Sequence, residues 1–152
     1  MSSQETSEMV LTKTITVDLP VEDAFRLYTE GIAAWWPFDT HSLGEHEVET
    51  VVLEPREGGR LYERTKAGEE RDWGSVVVWE PPHTLVHTWH LSRPEESAQR
   101  VEVRFRPDGS RTQVELVHTG WEKLGDAAAE SFGTYDTGWD YVLGKYVERA
   151  RA

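Results

Sequence analysis

From Trp121 to Tyr146 apolar or small residues recur in steps of three and four: Trp121, Leu124, Ala128, Phe132, Tyr135, Trp139, Val142, Leu143 and Tyr146. That is the spacing of one helix face. A helix from about Glu122 to Arg149 would run on the order of 40 Å at 1.5 Å per residue, long enough to cross a whole sheet. Four glycines lie within it, Gly125, Gly133, Gly138 and Gly144. Each weakens it by about 1 kcal/mol relative to Ala, or permits a kink or a close approach to the sheet.

Everything between residue 45 and that helix has the opposite period. Glu45 to Leu53, Arg60 to Thr65, Asp72 to Glu80, Thr84 to Leu91, Arg100 to Arg106 and Thr112 to Thr119 read as strands. Turn chemistry separates them at Gly58-Gly59, Ala67-Gly68, Pro81-Pro82, Ser92 to Ala98 and Asp108-Gly109. Consecutive strands joined by short breaks pair as an antiparallel meander. Ahead of them, Leu11 to Val17 alternates as a strand, and Asp18 is placed to cap a helix with Pro20 and Glu22 in its first turn. Val21, Ala24, Phe25 and Tyr28 form that helix's apolar face, Gly31 stops it, and a second short helix, Ile32 to Trp36, closes at Pro37. The expectation is an α+β fold in one domain, residues 10–152, after a disordered leader over 1–9. A curved sheet of six to seven strands wraps a long C-terminal helix, and such a sheet leaves a hollow at its wide end.

At 152 residues the chain affords one core. It has no cysteine, which removes disulfides, thiolate metal sites and thiol nucleophiles. With 28 acidic and 16 basic residues the net charge is −12, which repels nucleic acid and anionic lipid surfaces. No stretch approaches the ~18 apolar residues of a membrane span, and the polar start is unlike a signal peptide. A cytoplasmic protein without nucleic-acid or membrane partners is expected. Its seven Trp, five Tyr and four Phe suit a core, and equally the lining of a pocket for flat apolar molecules.

Several landmarks occur in a distinctive order: Trp35-Trp36-Pro37, Gly58-Gly59-Arg60 with Glu63, Gly74 before a strand ending in Pro81-Pro82, Thr84-Leu85-Val86 with Trp89, Val114-Glu115-Leu116 with His118, and Gly138-Trp139 with Leu143. With them the chain resembles the START-like, helix-grip (SRPBCC) superfamily, in the branch named after the activator of the heat-shock protein 90 ATPase. The resemblance implies the fold and an internal cavity. Members bind lipids, sterols, plant hormones or polyketides, and a few catalyse cyclisation. The chaperone activator carries a further N-terminal docking domain, for which these residues are too few, so a co-chaperone role is a secondary expectation and the protein partner stays open.

Strand parity turns Val101, Val103 and Phe105 inward, likewise Val114, Leu116 and His118, and likewise Leu85, His87 and Trp89. His87 and His118 would then orient a ligand oxygen, or be satisfied core histidines. Trp35 and Trp36 are expected at the cavity mouth, where they gate entry or close the core. Trp121, Phe132, Tyr135 and Trp139 look inward from the long helix. Tyr62, Glu63 and Trp73 depend on strand parity, which a bulge can flip. His87 and His90 are three apart, on opposite faces of a strand, so no metal site is expected of them; His41 and His46 sit in a loop beside Glu45 and Glu47. No nucleophile triad, nucleotide loop or cofactor motif is present, and no catalytic residue is assigned. The expected function is binding of a small apolar, aromatic or polycyclic ligand.

The same landmarks resemble the self-sacrifice resistance proteins of enediyne (calicheamicin) producers, in which a drug diradical removes hydrogen from a glycine Cα and the backbone breaks. The resemblance implies Gly109 as that glycine; Asp-Gly is equally an ordinary hairpin turn.

Overall fold

The computed structural model describes residues 9–91 and 98–152; the leader over 1–8 and most of the Ser92 to Ala98 break lie outside the described residues. Strands β1 (Leu11–Val17), β2 (Val48–Leu53), β3 (Arg60–Thr65), β4 (Glu70–Glu80), β5 (Thr84–Trp89), β6 (Gln99–Asp108) and β7 (Arg111–Thr119) are joined by helices α1 (Val21–Tyr28) and α2 (Ala128–Arg151). All seven strands form one sheet in the order β1-β7-β6-β5-β4-β3-β2. From β2 to β7 it is the expected meander, and every pairing is antiparallel. This is the α+β helix-grip arrangement that the period change implied.

The register slips between Val48 and Thr50, between Leu61 and Tyr62, and between Val76 and Val78. Each bulge bends its strand and raises the local twist, so the β2–β5 half curls toward the helix. Down its concave face run Leu85, Val101, Val103, Phe105, Val114 and Leu116, each at most 1% exposed. Against them α2 lays Trp139, Val142, Leu143, Tyr146 and Ala150, a stripe at 3.6-residue spacing. Helix α1 closes the narrow end: Phe25 meets Phe105 at 5.1 Å between ring centroids, and the Tyr146 hydroxyl donates to the Ala24 carbonyl at 2.7 Å.

Several boundaries differ from the sequence reading for identifiable reasons. The long helix starts at Ala128; Trp121–Ala127 is a 3₁₀ segment broken at Gly125, whose φ of 58° and ψ of −127° suit only glycine. Asp18 does not cap α1. Pro20 occupies that position and its carbonyl accepts the Ala24 N–H at 2.9 Å, while the Asp18 carboxylate pairs with Arg111 and Arg151. The second short helix is a single 3₁₀ turn, Ile32–Ala34. Glu45–Glu47 is another 3₁₀ turn, so β2 begins only at Val48. Among the described residues no helix is long and apolar enough to cross a membrane.

Candidate functional site

At the wide end of the sheet a cavity of about 260 Å³ opens between three elements. Helix α2 contributes Thr134, Tyr135, Gly138, Trp139 and Val142; the end of β5 contributes Trp89, and Leu91 follows just beyond it; the loop after the first 3₁₀ turn contributes Trp36, Thr40, His41, Ser42 and Leu43. His41 stacks on Tyr141 at 4.8 Å beside the mouth. Typical small-molecule sites enclose roughly 300–1,000 Å³, so this one suits a compact occupant.

The wall is an indole cluster. Trp36 lies 5.1 Å from Trp73, 6.2 Å from Trp89 and 5.8 Å from Trp139, and Trp89 lies 5.8 Å from Trp139. Each of these rings has its N–H engaged inside the protein. Trp36 donates to the His41 carbonyl at 2.8 Å, Trp73 to Glu63 at 2.7 Å, Trp89 to the Tyr135 hydroxyl at 3.0 Å and Trp139 to His118 Nδ1 at 3.0 Å. What the rings offer the cavity is therefore π surface rather than donors.

Glu63 holds the lining loop in place. Its carboxylate is fully buried and accepts the Leu43 N–H at 2.7 Å, the Gly44 N–H at 2.9 Å and the Trp73 indole, with the Arg71 guanidinium 3.7 Å away. The β3–β4 bulge falls on β4, where Trp73 is skipped between Gly74 and Asp72. Strand β3 itself alternates without a break, so Glu63 faces inward with Leu61, while Tyr62 lies on the other face, buried beneath the Arg60 guanidinium 4.0 Å from its ring centre.

His87 and His118 both face the interior, separated by Val101 across β5, β6 and β7. Because His118 Nδ1 accepts from Trp139, its proton sits on Nε2. His87 carries its proton on Nδ1, bonded to the Thr88 carbonyl at 2.9 Å. Burial pushes His87 down to about 4; burial, and then the nearby His87, push His118 down to about 3. Both are neutral at pH 7. Unfolded imidazoles bind protons below roughly 6.5 whereas these do not, so their stabilisation is full above that pH and is lost as pH falls. Going from pH 7 to 5.5 should remove about 2 kcal/mol, read from urea midpoints; equal midpoints at the two pH values would refute it.

Of the residues expected at a ligand, Trp36, Trp89, Tyr135 and Trp139 line the cavity, and Trp73 and His118 stand directly behind those rings. Others are elsewhere. Trp35 does not line the cavity: it packs on Tyr28, Tyr146 and, at 5.7 Å, the far side of Trp36, and donates to the Leu27 carbonyl. Phe105 belongs to the α1 end. Trp121 and Phe132 pack on each other at 5.1 Å, and Trp121 covers His118 at 4.3 Å. Gly109 sits in the β6–β7 turn, at the opposite end of β6 from Gln99. At ~3.3 Å per residue the two ends are on the order of 30 Å apart, and Gly109 does not line the cavity. Thr40, His41, Ser42, Leu43, Leu91, Thr134, Gly138 and Val142 were not expected at the cavity. For the loop residues the available signal was Trp36-Pro37, which shows where a mouth-forming loop begins.

The family model described as Activator of Hsp90 ATPase homolog 1-like protein matches residues 18–148. No curated protein matches in sequence. Among solved structures, the self-sacrificing resistance protein CalC from Micromonospora echinospora is similar at 26% identity, with a TM-score of 0.73 over 95% of each chain. The anthrahydroquino-gamma-pyrone synthase Txn09, complexed with SUM, is 35% identical over 82% of this chain and 85% of its own, with a TM-score of 0.60. The Aha1 dimer from Colwellia psychrerythraea shares the fold at 17% identity and a TM-score of 0.66, over 92% and 94%.

Proposed function

This chain belongs to the family of Activator of Hsp90 ATPase homolog 1-like proteins, and from that premise we propose that it binds a compact aromatic or polycyclic molecule between Trp36, Trp89, Tyr135 and Trp139. The observation that carries the reading is the indole cluster. Its N–H groups are already engaged, so a flat apolar ring gains stacking surface there without breaking a hydrogen bond. The likeness to Txn09 supports it, since that protein is named for a fused aromatic product. A self-sacrifice reaction at Gly109 finds no support in the position of that glycine.

Gly138 provides the test. A Cβ placed there meets nothing within 4 Å, and glycine inside a helix costs about 1 kcal/mol relative to Leu or Ala. Gly138→Leu should therefore fold slightly more stably while filling the cavity. Amide-shift mapping of nitrogen-labelled protein against flavonoids, aromatic polyketides and fatty acids should show the aromatic compounds perturbing Trp36, Trp89 and Trp139, with affinity at least tenfold weaker in Gly138→Leu. Equal affinity in the two proteins would remove the cavity from the binding site.

A further inference from the structure

Behind the aromatic wall lie three buried polar atoms that make no hydrogen bond among the described residues. They are both amide atoms of Gln99, which is 1% exposed, and Nε2 of His118, which is 0% exposed. Gln99 is the cross-strand partner of Trp89, and its alternation with Val101 and Val103 puts it on the concave face. His118, one row further along that face, touches Trp89 at 6.4 Å, Tyr135 at 5.3 Å and Trp139 at 6.1 Å, three rings that line the cavity. The Trp139 indole occupies Nδ1, which fixes the His118 proton on Nε2 as a donor. Gln99 adds one donor group and one acceptor.

Folded proteins satisfy nearly all buried polar atoms, and an orphaned set next to a cavity calls for an occupant. Neither residue lines the open cavity; the geometry points to an inner polar compartment behind its rings, in which His118 Nε2–H and the Gln99 carboxamide bind a carbonyl or hydroxyl oxygen on the edge of an aromatic ligand that inserts between them. This rests on the binding reading above and narrows it to uncharged, oxygenated ring systems such as hydroxyquinones. An anionic substituent is disfavoured, because both imidazoles facing that interior are neutral at pH 7 and, among the described residues, no Lys or Arg is buried there.

The experiment compares anthracene with its dihydroxyquinone quinizarin, which is uncharged at pH 7, titrated into the parental protein and into Gln99→Leu, with thermal melting of both. Leucine is similar in size and removes the orphaned amide. The expected result is a higher Tm for the variant, roughly tenfold weaker binding of quinizarin, and unchanged binding of anthracene. A lower Tm would show that the amide is satisfied structurally, and would overturn the inference. So would quinizarin binding equally to the two proteins, or anthracene losing as much as quinizarin. If neither compound binds the parental protein, the binding reading falls, and this one with it.

Discussion

Gly74→Ala is expected to destabilise the domain by about 4–5 kcal/mol, a fall in Tm of more than ~10 °C for a chain of this length. A Cβ at residue 74 would lie 1.9 Å from the Thr88 carbonyl oxygen and 2.6 Å from its carbon. Both are backbone atoms, so no rotamer change relieves the clash. The strands are pinned together on either side of it: the Trp73 carbonyl accepts the His90 and Leu91 N–H groups, and the Ser75 N–H donates to Thr88 Oγ1. Making room for one methyl group therefore means parting β4 from the end of β5, and that shifts Trp73 and Trp89 together. Differential scanning calorimetry decides the matter, and a Tm within about 2 °C of the parental value would show that β5 yields at little cost.

Glu63→Gln comes second, at about 3–4 kcal/mol. The carboxylate accepts three donors on two oxygens. A carboxamide of the same shape has one acceptor oxygen, and its NH₂ must face an N–H: donor against donor in a buried site. The variant also releases the loop at Leu43 and Gly44, so ligand affinity should drop along with stability, although Glu63 does not line the cavity. Hydrogen exchange at the amides of residues 43 and 44 is the measurement. Protection unchanged from the parental protein would mean that the loop is held by other contacts, such as the Trp36 bond to the His41 carbonyl.

The architecture was legible because two periods dominate the chain and rarely compete. Strand alternation placed Val101, Val103, Val114, Leu116 and His118 inward, and each is at most 1% exposed. Where it failed, the cause was an interruption of period. Trp35 and Trp36 are adjacent in a turn, and nothing local says which faces the cavity. Trp73 is the extra residue of a bulge against β3, so its face cannot be read by counting along β4 alone. The loop over residues 37–44 has no period at all; its position is set by a carboxylate about twenty residues away. Gln99 escaped notice because the sequence suggested that its strand began one residue later. An isolated glutamine at a strand end looks like surface until its neighbours are known.

The pairing of β1 with β7 sets the order in which the molecule can be completed. Leu11 lies opposite His118 and Val17 opposite Thr112, so β1, made before the other strands of this sheet, waits about a hundred residues for the strand it pairs with. At ribosomal rates of ~5–20 residues per second the wait lasts several seconds, during which the β2–β6 meander can form from contacts between neighbours. Long-range closure is the slow kind of contact. The edge formed last is thus the one beneath α2, where Lys13 of β1 meets Asp136 and Asp140, and the helix that walls the cavity docks against a strand that has only just arrived.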